Sequence, residues 1–186
     1  MIRSHLPALL IVVPMMAAPL CLLLRRSDWT WAFSLLVTWC TFAISLAILF
    51  QVTETGTISY PLGGWSAPYG IEYKIDLLSA FVVVIVSGIG SVVMPYARLS
   101  IESEIPWPRI YLFYTMYLLC LTGLLGIAIT GDVFNLFVFL EVSSLSSYVL
   151  IALGKERRAL TAAFHYLIMG TIGATFYVIG VGLMYM

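Results

Sequence analysis

One carboxylate in this sequence stands where water has little reason to be. Glu141 lies inside GDVFNLFVFLEVSSLSSYVLIALG, with apolar residues on both sides. On a membrane helix rising 1.5 Å per residue, it falls roughly 13 Å from Asp132 and about 18 Å from Leu153, close to the bilayer midplane. An ionisable group at that depth costs about 2.5–3.5 kcal/mol or more, turns toward protein or water, and marks an ion or proton path by default. The sequence therefore predicts a buried glutamate that takes up and releases a proton. The competing reading is a neutral glutamic acid that hydrogen-bonds two helices together, in a non-conducting structural or assembly subunit of a membrane complex.

The neighbours of Glu141 suit a hydrated site. Ser143, Ser144, Ser146, Ser147 and Tyr148 follow within two turns. Ser144, Leu145 and Tyr148 share a helix face with Glu141 by three-, four- and seven-residue spacing. Hydroxyls donate and accept in turn, so Ser144 and Tyr148 are the candidates for a hydroxyl path. No Lys or Arg interrupts an apolar run, so Glu141 has no evident cationic partner. His165, followed by Tyr166, is the nearest titratable group in the next apolar run. It lies roughly 9 Å deep against roughly 18 Å for Glu141, a gap that water would have to bridge. Histidine changes charge near neutral pH and can shuttle protons. Asp132 precedes the Glu141 segment and is expected to cap it, with Asn135 helping; Asp76 is expected to cap an earlier helix in the same way.

These residues need helices to hold them, and the composition allows little else. Of 186 residues, 62% are hydrophobic and 10% charged, and the mean hydropathy is +1.04. Soluble domains carry about 25% charged residues, so the solvent of this chain is lipid. Six apolar runs, near 6–24, 29–51, 77–97, 110–130, 133–153 and 160–186, approach the roughly 20 residues that cross a bilayer as a helix. The expected fold is an all-α polytopic membrane bundle of about six transmembrane helices, residues 1–186 forming a single transmembrane domain. Pro7, Pro14 and Pro19 fall in the first run, where membrane helices tolerate them. Gly170, Gly173, Ala174, Gly180 and Gly182 crowd the sixth and predict close helix contacts. The first run carries its charge pair, Arg25-Arg26, after rather than before the apolar stretch, so it reads as an uncleaved span.

The loops set an orientation. Arg25, Arg26, Arg98, Arg109, Lys155, Arg157 and Arg158, seven of the nine basic residues, fall on one side, and only Arg3 and Lys74 on the other. The positive-inside rule makes the first side cytoplasmic and puts both termini outside, in a bacterial-type inner membrane. The longest loop, 52–76, alternates in strand fashion at 57–60 and 71–75 around Gly63-Gly64, which predicts a small extracytoplasmic hairpin with Trp65 and Tyr69 at the interface.

Other functions are disfavoured. A net charge of zero argues against a nucleic-acid partner. Cys21, Cys40 and Cys120 lie singly in apolar runs and read as small hydrophobes. No metal-ligand cluster, nucleotide loop or nucleophile elbow is present, so neither a metal nor another cofactor is expected.

The run around Glu141, continued by ALTAAFHYLIMGTIGATFYVIGVGLMYM, resembles the proton-conducting transporter family. That family includes the D subunit of the Mrp-type Na+/H+ antiporter, the nearest in look, and the antiporter-like subunits of respiratory complex I. The segment LGGWSAPYGIEYKIDLLSAFVV resembles the family's outward loop and third helix. The resemblance implies that Glu141 is the family's fifth-helix glutamate, which pairs with a seventh-helix lysine. It implies that His165 stands where several members carry a sixth-helix lysine or histidine. It further implies partners: other membrane subunits of an antiporter or complex I-like assembly, the lipid bilayer, protons and, in antiport, Na+. Redox chemistry of its own is not expected; a quinone or flavin step would belong to partners. Members continue beyond a sixth helix, so the sequence is expected to be the N-terminal part of a larger antiporter-like unit or to meet a partner chain that supplies the rest.

Overall fold

The computed structural model describes residues 5–65 and 70–186. Tyr69, expected at the interface, and Arg3 lie outside the described residues. Six helices run through the chain: α1 (Leu6–Leu24), α2 (Ser27–Thr55), α3 (Leu77–Glu104), α4 (Ile110–Ile129), α5 (Val133–Ala152) and α6 (Arg157–Tyr185). All six are long and apolar enough to cross a membrane. Large apolar side chains such as Leu36, Phe50, Ile89 and Val92 point outward, as lipid solvent allows. Helices α2 and α3 outrun the expected spans, because their polar ends continue the helical hydrogen bonding beyond the apolar stretch.

Packing between these helices relies on small and hydroxylated residues, because lipid gives no hydrophobic drive for one helix to leave it for another. Helix α2 buries Thr30, Ser34, Thr38, Thr41 and Ser45 on one stripe. Four of these hydroxyls donate to carbonyls of the chain three or four residues back, as Thr41 does to Val37 at 2.8 Å. Ser45 meets Ser87 of α3 at 2.7 Å. Helix α4 takes the centre, packed by α1, α3 and α5. Gly123 and Gly126 of α4 admit α5: a Cβ on Gly123 would lie 2.7 Å from that of Ser143, and one on Gly126 would overlap the Phe139 ring.

Helix α6 packs chiefly on α5, and buries only Ala163 and Val181. This corrects the expectation for its glycines. Gly170 is tightly packed, but a Cβ on Gly173, Gly180 or Gly182 would meet open space, because one neighbour covers one side only. Likewise Cys21 is buried but Cys40 is exposed, on the outer side of α2.

The hairpin is present. β1 (Ile58–Pro61) pairs antiparallel with β2 (Glu72–Ile75), Ile58 opposite Ile75. Gly63 and Gly64 take positive φ in the turn that leaves β1, a conformation glycine adopts without strain. Trp65 is exposed. The hairpin rests on the α4–α5 turn: Gly131 N–H donates to the Glu72 carbonyl at 2.9 Å, and Tyr73 is buried with its ring 6.3 Å from that of Phe139.

Candidate functional site

Helix α5 starts where its sequence signals a start. The Asn135 backbone N–H donates to the Asp132 carboxylate at 2.7 Å, and the Asn135 side chain donates to the Thr130 hydroxyl at 2.9 Å. The cap leaves one free backbone donor fewer at the helix end, and it fixes the phase of every residue that follows.

That phase gives α5 two working faces. Phe139, Ser143 and Ser146 are buried, the first two against the α4 glycines. The opposite face meets α6 through two aromatic pairs. Phe137 stacks on Tyr177 at 6.1 Å between ring centroids, and Tyr148 meets Tyr166 edge-on at 4.9 Å. Glu141 lies four residues after Phe137 and seven before Tyr148, so it occupies the same face between the two pairs. Both pairs keep one antiparallel register, which puts Gly173 of α6 opposite Glu141. Gly173 has open space where a Cβ would be.

Glu141 is half-buried rather than fully buried, because α6 covers one flank of this face and leaves the other open. Among the described residues its carboxylate has no hydrogen-bond donor, and the ion pairs found there join Arg98 to Asp28 and Glu102.

The hydroxyls that follow Glu141 divide by what they bond. Ser146 donates to the Val142 carbonyl at 2.6 Å, and Ser147 to the Ser143 carbonyl at 2.9 Å. Their protons are committed to the helix itself. Ser143 is buried in the α4 contact. Ser144 is half-buried and free of such a bond among the described residues. Tyr148 is buried, and its hydroxyl lies over the backbone of Gly170, where a Cβ would overlap it. Glu141, Ser144 and Tyr148 thus form one group on one face.

His165 does not join it. It is exposed on α6 and lines a crevice with Arg157, Arg158, Thr161 and Ala162. It is turned roughly 100° about the helix from Tyr166, which faces α5, and is displaced about 12 Å along the axis from the level of Glu141.

The α6 contribution, namely Tyr166, Gly170 and Tyr177, is not among the residues singled out by type and spacing around Glu141. One sequence signal does point to it: Phe137 and Tyr148 are eleven residues apart, as are Tyr166 and Tyr177. Eleven residues is close to three helical turns, so each pair projects from one face of its helix.

Residues 130–186, which hold this whole group, match the family model described as NADH:quinone oxidoreductase/Mrp antiporter, TM. The N subunit of the NADH-quinone oxidoreductase from Desulforudis audaxviator is 40% identical over 185 residues, covering 98% of this chain and 36% of its own length. The chain belongs to this antiporter family. The D subunit of the Na(+)/H(+) antiporter of Alkalihalophilus pseudofirmus is 34% identical over 142 residues, 76% of this chain and 28% of that protein. Among solved structures, a chain of the archaeal membrane-bound sulfane sulfur reductase superposes with a TM-score of 0.87 at 31% identity, covering 97% of this chain and 37% of the other. The chain therefore spans about a third of the length of the family members it matches. The first two are named as subunits, and the third as a respiratory membrane complex.

Proposed function

We propose that this chain is part of a proton-translocating membrane subunit, with Na+ as the exchanged ion in an antiport mode, and that Glu141 carries the proton. The observation that supports this most is the placement at mid-span of α5 of a half-buried carboxylate with no partner among the described residues, beside open space at Gly173. A glutamic acid that served only to tie helices together would be expected to meet a donor across the interface. Ser144 and Tyr148 extend the route along the same face, their hydroxyl protons not committed to helix carbonyls among the described residues. A cation brought near Glu141 by a neighbouring helix would favour the carboxylate, and its withdrawal the acid; alternation between the two moves a proton. His165 serves as a separate shuttle at the α6 end that carries Arg157 and Arg158. The partners are other membrane subunits of an antiporter or complex I-like assembly, and electron transfer belongs to them.

The test is proton flux in the assembled complex. Glu141→Gln keeps size and hydrogen bonding but cannot ionise, and should lower flux by about two orders of magnitude, as loss of a proton-transfer group does. Glu141→Asp keeps the charge with a shorter reach and should retain part of the flux. A non-conducting role predicts the reverse ranking, with Gln tolerated and Asp harmful. Full flux with Gln would remove Glu141 from the path.

A further inference from the structure

A cavity lies away from Glu141, at the end of the bundle that carries the α3–α4 and α5–α6 loops. It has a volume of about 810 Å³, within the roughly 300–1,000 Å³ of ligand pockets. Helices α3 and α5 flank α4 there, and the space between them is walled by Val93, Phe113 and Ile151. Val93 and Ile151 are themselves exposed on the outer surface, so the crevice opens sideways, where acyl chains lie, as well as toward the loops.

Its rim is charged and partly built. The Lys155 ammonium donates to the Ser103 carbonyl at 2.6 Å, while the Lys155 backbone N–H donates to the Glu104 carbonyl at 3.1 Å. These bonds hold the α5–α6 loop against the end of α3 and fix the ammonium at the mouth. An ammonium has three donors, so two remain for a ligand. Glu104 and Glu156 stand on the same rim. Arg157 and Arg158 line the other crevice, beside His165. The rim of the larger cavity therefore offers one cation and two carboxylates above apolar walls.

From this arrangement we infer that the crevice binds a zwitterionic aminophospholipid. The phosphate meets Lys155, the headgroup ammonium meets Glu104 and Glu156, and an acyl chain runs between α3 and α5. The rim's own charge is net negative, which disfavours an anionic phospholipid, and a choline headgroup has no N–H to donate to the carboxylates. A water-soluble ligand would leave the lateral apolar opening uncovered. The lipid would brace α3 against the α5–α6 loop, beside the two hydrogen bonds that Lys155 makes there.

Native mass spectrometry of the intact protein, extracted in mild detergent and offered equal amounts of phosphatidylethanolamine and phosphatidylglycerol, tests this. The unaltered protein should retain one phosphatidylethanolamine per chain with a preference of about fivefold, the scale of one exposed charge contact. The double variant Glu104→Gln/Glu156→Gln changes exposed side chains and should lose that preference. Val93→Trp fills the crevice from an exposed position and should lose the bound lipid. Absence of a retained lipid on the unaltered protein, equal retention of the two lipids, or an unchanged preference in the double variant would each overturn the assignment. The unaltered protein alone decides if a variant fails to fold.

Discussion

The phenol of Tyr148 lies over Gly170, across the only large interface that α6 makes among the described helices. The same register leaves Gly173, one turn further along, facing open space beside Glu141. These two glycines should therefore respond oppositely to a methyl group. Alanine in a helix is favoured over glycine by about 0.5–1 kcal/mol, whereas overpacking a fitted contact costs about 1–3 kcal/mol. The second term dominates at Gly170, so Gly170→Ala should lower the melting temperature, by about 2–4 °C for each kcal/mol lost. Gly173→Ala should leave it unchanged or higher. Removing the phenolic oxygen in Gly170→Ala/Tyr148→Phe should restore part of the loss, because the ring carbon Cζ still lies 2.8 Å from the added Cβ. Thermal melts of the four proteins check the contact; a harmless Gly170→Ala would mean that the two helices do not meet here.

The cap of α3 makes stability depend on pH. The Ser79 backbone N–H donates to the Asp76 carboxylate at 2.7 Å, and this bond holds the Asp76 carboxyl below the ordinary carboxylate range. A group whose pKa is depressed by folding stabilises the protein above its unfolded pKa, about 3.9 for aspartate. That contribution is lost as pH falls through the lower folded value. Asp76→Ala should therefore melt earlier than the unaltered protein at pH 7, and the gap between them should close as the pH is taken below about 4. A gap that stays constant across that range would show that the carboxylate plays no part in capping.

Much of this architecture was legible in the sequence, because lipid leaves the backbone few choices. Six apolar runs of spanning length could only be helices, and the Asp132 and Asp76 caps follow from side-chain chemistry that acts within three residues. Alternation around Gly63-Gly64 predicted the hairpin for a similarly local reason. What stayed out of reach depended on contacts between distant residues. The open side of Glu141 and the empty surroundings of Gly173 follow from how far α6 covers α5, and no local pattern encodes that. Helical phase placed Ser144 and Tyr148 beside Glu141, yet the direction of His165 required the α5–α6 register, which only the aromatic pairs Phe137–Tyr177 and Tyr148–Tyr166 define.

Seven of the nine basic residues lie in or beside the connections at one end of the bundle, while the hairpin, with Lys74, lies at the other. His5 contacts Tyr60 of the hairpin at 2.9 Å, so the described start of the chain is at the hairpin end. By the positive-inside rule the basic end is expected to face the cytoplasm. A cysteine placed by Lys155→Cys, in a background with the native cysteines replaced, should react with a membrane-impermeant maleimide only after the cells are opened. A cysteine placed by Ser59→Cys should react in intact cells. Labelling in the opposite order would invert the topology.

His165 provides the most exacting test of the route, because it lies off the face that carries Glu141. It is exposed beside Arg158 and Thr161, about 12 Å along the axis from the level of Glu141 and turned away from α5. A residue so placed has little packing to lose, so His165→Ala and His165→Leu should leave the yield of assembled protein unchanged. If the imidazole hands protons to water on their way to Glu141, both variants should slow proton flux about tenfold, less than the roughly hundredfold of a positioned transfer group, because water reaches this exposed position and partly replaces the imidazole. His165→Lys keeps a titratable nitrogen and should retain more flux than the leucine variant. The separation also predicts how the effects combine. Two steps in series on one route are not independent, so adding His165→Leu to Glu141→Gln should lower flux little beyond Glu141→Gln alone. Effects that multiply would show that the two residues act independently and not as successive steps of one route. Equal flux in the alanine, leucine and lysine variants would leave His165 as a surface residue of α6.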